Sequence, residues 1–324
     1  MPVQYEGVLS EHETVRNSAG VFDVSHLGRF EVIGNGATEI LRFQLCNDIE
    51  RIEPGRAQYT MALNDRGGIE DDIIVWQLGE DRFWVMPNGT NFDGIIARFS
   101  TAAPSGVRIS DIRESTVLLA VQGPEAPSII ESVLGTKPAR FRIVTTDFNG
   151  YEVVAAGTGY TGERGGELCI SIEGAADLWT ALVDAGASPA GLGARDTLRL
   201  EMGYPLWGQD LDPETTPLEA GLGWVVAWDH DFIGRTALEA QRDALTRQLV
   251  AFSTEGRVIP RHGYAITVGA SEGTVTSGNF SPTLKHGIGL AYVSPPPVPD
   301  ASIEVMIRGS AVTATRVSLP FVDR

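Results

Sequence analysis

The residues Gln58-Tyr59-Thr60-Met61-Ala62-Leu63-Asn64-Asp65-Arg66-Gly67-Gly68-Ile69-Glu70-Asp71-Asp72-Ile73-Ile74-Val75-Trp76 contain the clearest hairpin in this chain. An apolar-rich run over 58–63 meets an Asn-Asp-Arg-Gly-Gly turn. A β-branched and aromatic run then returns through Ile73, Ile74, Val75 and Trp76. Turn residues between two such runs specify antiparallel strands. The returning strand carries three consecutive acids, Glu70, Asp71 and Asp72. Strand side chains alternate, so Asp71 and Asp72 face opposite sides. One can meet solvent while the other enters a pocket. A carboxylate set among Ile73, Val75 and Trp76 is expected to be partly desolvated and therefore a stronger base.

Before the hairpin, residues 8–20 read as a helix, capped at or near Ser10 and ended by Gly20. Residues 21–25 and 28–33 read as strands, and 37–46 has a helical apolar pattern. After it, 82–86 is a strand and 88–99 a helix. An apolar strand over 116–122 runs into Gly123-Pro124, and a helix follows over 125–134. Residues 141–172 alternate as strands around a Gly-rich turn at 157–166. Helices are expected over 175–185, 194–202 and 235–248. From residue 248 the helical period disappears, and short strands alternate with Gly, Ser and Pro turns. Two domains are therefore expected, 1–247 and a β-barrel or sandwich over 248–324.

Of the 324 residues, 43% are hydrophobic and 21% charged, an ordinary globular balance. The net charge of −17 opposes phosphate backbones and disfavours a nucleic-acid partner. Only Cys46 and Cys169 are present, with no CxxC spacing, and the five histidines are scattered. No metal site is expected on that basis. A cation site using Asp65, Asp71 and Asp72 is the minor alternative, because interleaved oxygen ligands are missing. No basic region precedes an apolar run at the N-terminus, and no stretch of about 18 apolar residues occurs. A cytoplasmic protein without a membrane partner is the expectation.

A series of segments carries a resemblance over essentially the whole chain. They are MPVQY (1–5), FDVSHLG (22–28), GGIEDDIIV (67–75), VQGP (121–124), GYTGERGGE (159–167), GLGARDTLRLEMG (191–203), TTPLEAGLGW (215–224), GTVTSGNFSPTLKHGIGLAYV (273–293) and LPFV (319–322). In this order they resemble the glycine cleavage T-protein, or aminomethyltransferase, family. The resemblance implies an α+β fold. Three domains form a cloverleaf around a central folate pocket: two interleaved α+β domains and a C-terminal β-barrel. It implies tetrahydrofolate as co-substrate, no metal, and a lipoylated H-protein-like carrier as partner.

The same resemblance assigns site residues. Asp72, the second aspartate of the pair, is implied to be catalytic. Glu167 is implied to read the pterin, and a carboxylate suits the adjacent amino and ring N–H groups of such a ring. Arg195, in the GARD segment, is implied to enter the folate pocket, where a planar donor fork fits a carbonyl or carboxylate. Tyr160 supplies an aromatic wall, and Asn88, Met86, Tyr59 and the terminal Arg324 complete the implied folate set. Bland roles stand beside these. Asp72 can be a solvated strand end, Glu167 can face water, Arg195 can pair with Asp196, Glu201 or Glu167, and Asn88 can cap the following helix. Two rival functions also stand. One is a demethylase using the same scaffold. The other is a non-catalytic folate-binding protein, disfavoured because residues 203–210 (GYPLWGQD) lack the cysteine of that group's signature.

Overall fold

The computed structural model describes residues 1–324. In chain order the first elements are α1 (Val8–Asn17), β1 (Gly20–Asp23), β2 (Phe30–Ile33), α2 (Ala37–Gln44), β3 (Arg56–Leu63), β4 (Ile69–Gly79), β5 (Arg82–Met86) and α3 (Phe92–Ala102). Next come β6 (Arg108–Asp111), β7 (Thr116–Gln122), α4 (Ala126–Leu134), β8 (Ile143–Phe148), β9 (Tyr151–Ala156), β10 (Gly165–Ser171), α5 (Ile172–Asp184), β11 (Ser188–Pro189) and α6 (Leu192–Glu201). The last are α7 (Arg235–Gln241), β12 (Gln248–Thr254), β13 (Ala265–Val268), β14 (Ser271–Phe280), β15 (Gly287–Ser294), β16 (Ile303–Ile307) and β17 (Ser310–Val317). No helix is long and apolar enough to cross a membrane.

The chain divides into two compact units, each interrupted in sequence. The first comprises residues 1–62, 71–195 and 227–233 and holds two sheets. One has the order β3-β4-β5-β2-β6. Its helices α2 and α3 close a core that includes Phe30, Leu41, Ile73, Val75, Phe83 and Phe99. The other sheet has the order β11-β1-β7-β10-β9-β8, in which only the β1–β11 pair is parallel. Helices α4 and α5 pack on one face of it through Ile130, Leu178 and Leu182 against Leu119, Leu168 and Ile170. The second unit comprises 63–70, 196–226 and 234–324. Its main feature is a closed six-stranded barrel, β12-β15-β14-β13-β16-β17. Period-2 alternation makes the barrel wall: Ile303, Val305 and Ile307 of β16 point inward while Glu304 and Met306 are exposed.

The protein is thus a mixed α+β chain ending in a β-barrel, as expected from the sequence. The helix ends differ from expectation for physical reasons. Ser10 does not cap α1; the N-cap position is Gly7, with no side-chain cap. The Glu11 carboxylate instead gathers the backbone N–H groups of Tyr5, Glu6 and Gly7. α3 starts at Phe92 rather than Asn88, with Asn91 at the N-cap position and the Asn88 amide engaged by two carboxylates. α7 stops at Gln241, short of the expected residue 248.

Candidate functional site

Strand β4 shows the expected alternation. Ile69, Asp71, Ile73 and Val75 are fully buried, whereas Glu70, Asp72 and Ile74 are half-buried. Asp71 therefore lies on the face that packs with Ile73 and Val75 against α3. Asp72 shares the other face with Ile74 and Trp76. Asp71 has no exposed surface, and Asp72 keeps a part of its own, although both lie deep enough for burial to raise them. Sequence reasoning did not separate these two roles.

Donors gather around both acids. Asp71 accepts hydrogen bonds from the Asn88 backbone N–H (3.0 Å), from Asn88 Nδ2 (2.6 Å) and from Asn91 Nδ2 (3.1 Å). Asn88 Nδ2 also donates to Asp72 Oδ1 at 2.8 Å, so one amide bridges the two carboxylates. The Tyr59 hydroxyl donates to Asp72 Oδ2 at 3.1 Å. Burial, followed by the neighbouring Asp72 charge, pushes Asp71 up to about 8, against the pull of its Asn88 and Asn91 donors. Burial also raises Asp72, while Asn88 and Tyr59 favour its ionised form. Two such groups side by side resist carrying two charges, so they titrate as a pair. Asn88 is not a helix cap: Asn91 holds the N-cap position of α3. Met86 is buried on β5 opposite Ile74, on Asp72's side of the sheet.

Glu167 lies on β10, pointing away from Leu168 and Ile170 and their helices. Its cross-strand partners are Ala120 of β7 and Ala156 of β9. Its cross-strand neighbours are small, and the carboxylate is nonetheless buried. Thr158 Oγ1 donates to Glu167. Burial raises the Glu167 carboxyl, and the Thr158 hydroxyl and Arg195 charge act against that rise. Arg195, on the first turns of α6, stacks its guanidinium over the Tyr160 ring at 4.8 Å from the centroid. Burial lowers its proton affinity, while Glu167 and Tyr160 restore part of it. The alternative partner Asp196 is taken by Arg199 (2.9 Å), and Glu201 by Ser281 and Thr283.

The two groups of residues are electrostatically linked. Burial raises the Tyr59 hydroxyl well above its ordinary range, and Asp72 and Tyr160 raise it further. Asp72, Tyr59, Tyr160, Arg195 and Glu167 thus form a connected series within the first unit. Arg324 belongs to the second unit and is exposed. Asp65 also belongs to the second unit, so it shares no compact unit with Asp71 and Asp72. A different trio, Asp48, Asp229 and His230, places its potential ligand atoms within 4.8 Å of one another. Its two acids are met by Arg42 and Arg51.

Sequence reasoning missed three supporting residues. Gln122 holds the loop before Tyr160, donating to the Thr158 carbonyl (3.2 Å) and accepting from Thr161 Oγ1 (2.8 Å). A Cβ at Gly159 would sit 2.0 Å from Gln122 Oε1, so a side chain there would push the Gln122 amide away from these partners. Thr158 is the second, and Asn91 the third. The VQGP segment contained Gln122, but nothing in its spacing disclosed the partners.

Similarity to known proteins extends along the whole chain. Residues 1–230 match the family model described as the GCVT N-terminal domain, and residues 247–323 that of the glycine cleavage T-protein C-terminal barrel domain. The aminomethyltransferase of Frankia alni is 46% identical, over 99% of this chain and 91% of its own length. That of Rubrobacter xylanophilus is 47% identical, over 100% and 88%. Among solved structures, the glycine cleavage system aminomethyltransferase T from Bartonella henselae matches with a TM-score of 0.90 at 32% identity, covering 99% of this chain and 91% of that one.

Proposed function

This chain belongs to the glycine cleavage T-protein family, and from that premise we propose how its own residues carry out folate-dependent aminomethyl transfer. It is an aminomethyltransferase. Its co-substrate is tetrahydrofolate, bound through Glu167, Arg195 and Tyr160, with Asn88, Met86 and Tyr59 in the same unit. Its donor is an aminomethyl group on the lipoyl arm of an H-protein-like carrier. It works in the cytoplasm, without a metal. Residues 1–247 form the folate region and 248–324 the barrel domain.

The observation that supports this reading is the connected series from Asp72 through Tyr59 and Tyr160 to Arg195 and Glu167. Glu167 presents an acceptor pair to the amino and ring N–H edge of the pterin. Burial makes each such bond stronger than it is in water. Arg195 and Tyr160 form a flat cationic and aromatic wall against the ring. Asp72 is half-buried and held from both sides by Asn88 and Tyr59. It orients and polarises a folate nitrogen for attack on the methylene carbon. The carbon–sulfur and carbon–nitrogen bonds of the donor break, and two bonds to folate nitrogens form. The hydrogens of those nitrogens leave on ammonia and on the carrier thiol. Orientation and fixed charge are the protein's main contributions.

The test is direct. The protein is incubated with aminomethylated lipoyl carrier, with and without tetrahydrofolate, and ammonia and methylenetetrahydrofolate are measured. Folate-dependent release of both is expected. Binding of folate with no ammonia release from this carrier, but turnover of another methylated donor, would replace the donor assignment.

A further inference from the structure

We propose that Glu11 of α1 is a positioning residue for folate binding, fixing the start of α6 so that Arg195 stays seated on Tyr160. This rests on the assignment of Arg195 and Tyr160 to the folate pocket. The first N–H groups of a helix have no intrahelical partner. In α6 those of Leu192 and Gly193 donate to the carbonyls of Pro2 (3.0 Å) and Val3 (2.9 Å). The preceding Gly191 N–H donates to Glu11 Oε2 at 2.7 Å. An N-terminal strap, rather than a side chain of the helix, thus satisfies the helix start. A Cβ at Gly191 would lie 2.5 Å from the Val3 carbonyl oxygen, so the strap approaches closer than any other residue permits.

The same carboxylate ties down the strap. Glu11 Oε1 accepts from the N–H groups of Tyr5 (2.5 Å), Glu6 (2.9 Å) and Gly7 (3.1 Å). One buried acid, 3% exposed, therefore joins the strap to the residue before the helix that carries Arg195. A negative charge there also complements the positive end of α6. Burial works against its charge, but the four backbone donors win and hold the carboxyl below its ordinary range. The other half of the stack is anchored from the same helix. Arg16 of α1, also 3% exposed, donates to the Thr161 carbonyl (2.7 Å) and to Glu163 (2.9 Å), on the loop that carries Tyr160. α1 thereby sets both members of the Arg195–Tyr160 pair.

The experiment is a double-mutant cycle on tetrahydrofolate affinity, using the full chain and titration calorimetry. Glu11→Ala is expected to raise the folate dissociation constant about tenfold, with kcat at saturating folate falling by no more than about threefold. Glu11→Gln keeps one acceptor oxygen and is expected to restore part of the affinity. In an Arg195→Ala background, Glu11→Ala is expected to change folate affinity by less than about twofold, because its effect passes through Arg195. An equal loss in both backgrounds overturns the proposal and leaves Glu11 as a general fold stabiliser. Unchanged affinity in Glu11→Ala also overturns it. If Glu11→Ala does not fold, Glu11→Gln runs the same cycle, with a loss of about threefold expected alone and none beyond error in the Arg195→Ala background; an equal loss in both backgrounds overturns the proposal. An Arg195→Ala protein with wild-type folate affinity overturns the folate assignment itself, which separates that failure from this one.

Discussion

Replacing Asp72 by Asn removes a charge while nearly preserving shape. Asn88 Nδ2 donates to Asp72 Oδ1 at 2.8 Å, so the new side chain keeps its oxygen there. Its amide nitrogen then faces the Tyr59 hydroxyl, which can rotate to accept instead of donate. Two hydrogen bonds to a charged acceptor become neutral ones, a loss of roughly 1 kcal/mol each. Relief of burial and of the like charge beside Asp71 offsets that loss, since both raise the proton affinities of the pair. The folded state should therefore keep its stability to within about 1 kcal/mol, a few degrees in Tm for a chain of this size. Catalysis should not survive so well. A positioned acid–base group contributes about 10²- to 10⁴-fold, so kcat for methylene transfer is expected to fall about 10²- to 10³-fold, or roughly 3–4 kcal/mol. The folate dissociation constant should change by less than about threefold, because Glu167 and Arg195 remain. Steady-state transfer assays, calorimetric folate titration and thermal melts of the same sample give all three values. Activity within about fivefold of wild type at unchanged folate affinity would refute a catalytic role for Asp72.

Tyr59→Phe removes a donor that favours ionised Asp72, so the carboxyl should hold its proton to higher pH. The acid limb of the pH–rate profile should move upward, with the deficit shrinking as pH rises; an unmoved limb would exclude this coupling. Glu167→Gln should weaken folate binding by about 30- to 100-fold, since one acceptor of the charged pair becomes a donor facing a pterin N–H. A change under about threefold in calorimetry would mean that the pterin edge is read elsewhere. Burial pushes Cys46 up to about 12 and Cys169 up to about 11. Neither thiol should react with maleimide at pH 8 until the chain is unfolded, and rapid labelling of the folded protein would contradict that burial.

The hairpin of β3 and β4 was legible because turn chemistry and β-branched runs are local signals. The barrel was legible because its strands repeat a period of two between Gly and Pro turns. Partnerships were not. Asp71 and Asp72 look alike in sequence, and only the packing of α3 against Ile73 and Val75 decides which one is sealed. Asn88 reads equally well as a helix cap. Its amide is spent on two carboxylates, and the helix begins four residues later at Phe92, after Asn91 at the N-cap. Glu11 reads as an ordinary acid in the first turn of a helix. Its partners on Gly191 lie 180 residues away in sequence, where no spacing rule reaches. Glu167 and Arg195 were assigned through family resemblance alone, and the alanines that flank Glu167 could be placed only once strand register was known.

The most direct measurement is a structure of the full chain with tetrahydrofolate bound. The amino and ring N–H edge of the pterin is expected within hydrogen-bond distance of Glu167. Arg195 and Tyr160 should lie against the ring, and the reactive nitrogens should face Asp72. A folate that binds away from Glu167, or that turns its reactive nitrogens away from Asp72, would contradict the proposed site.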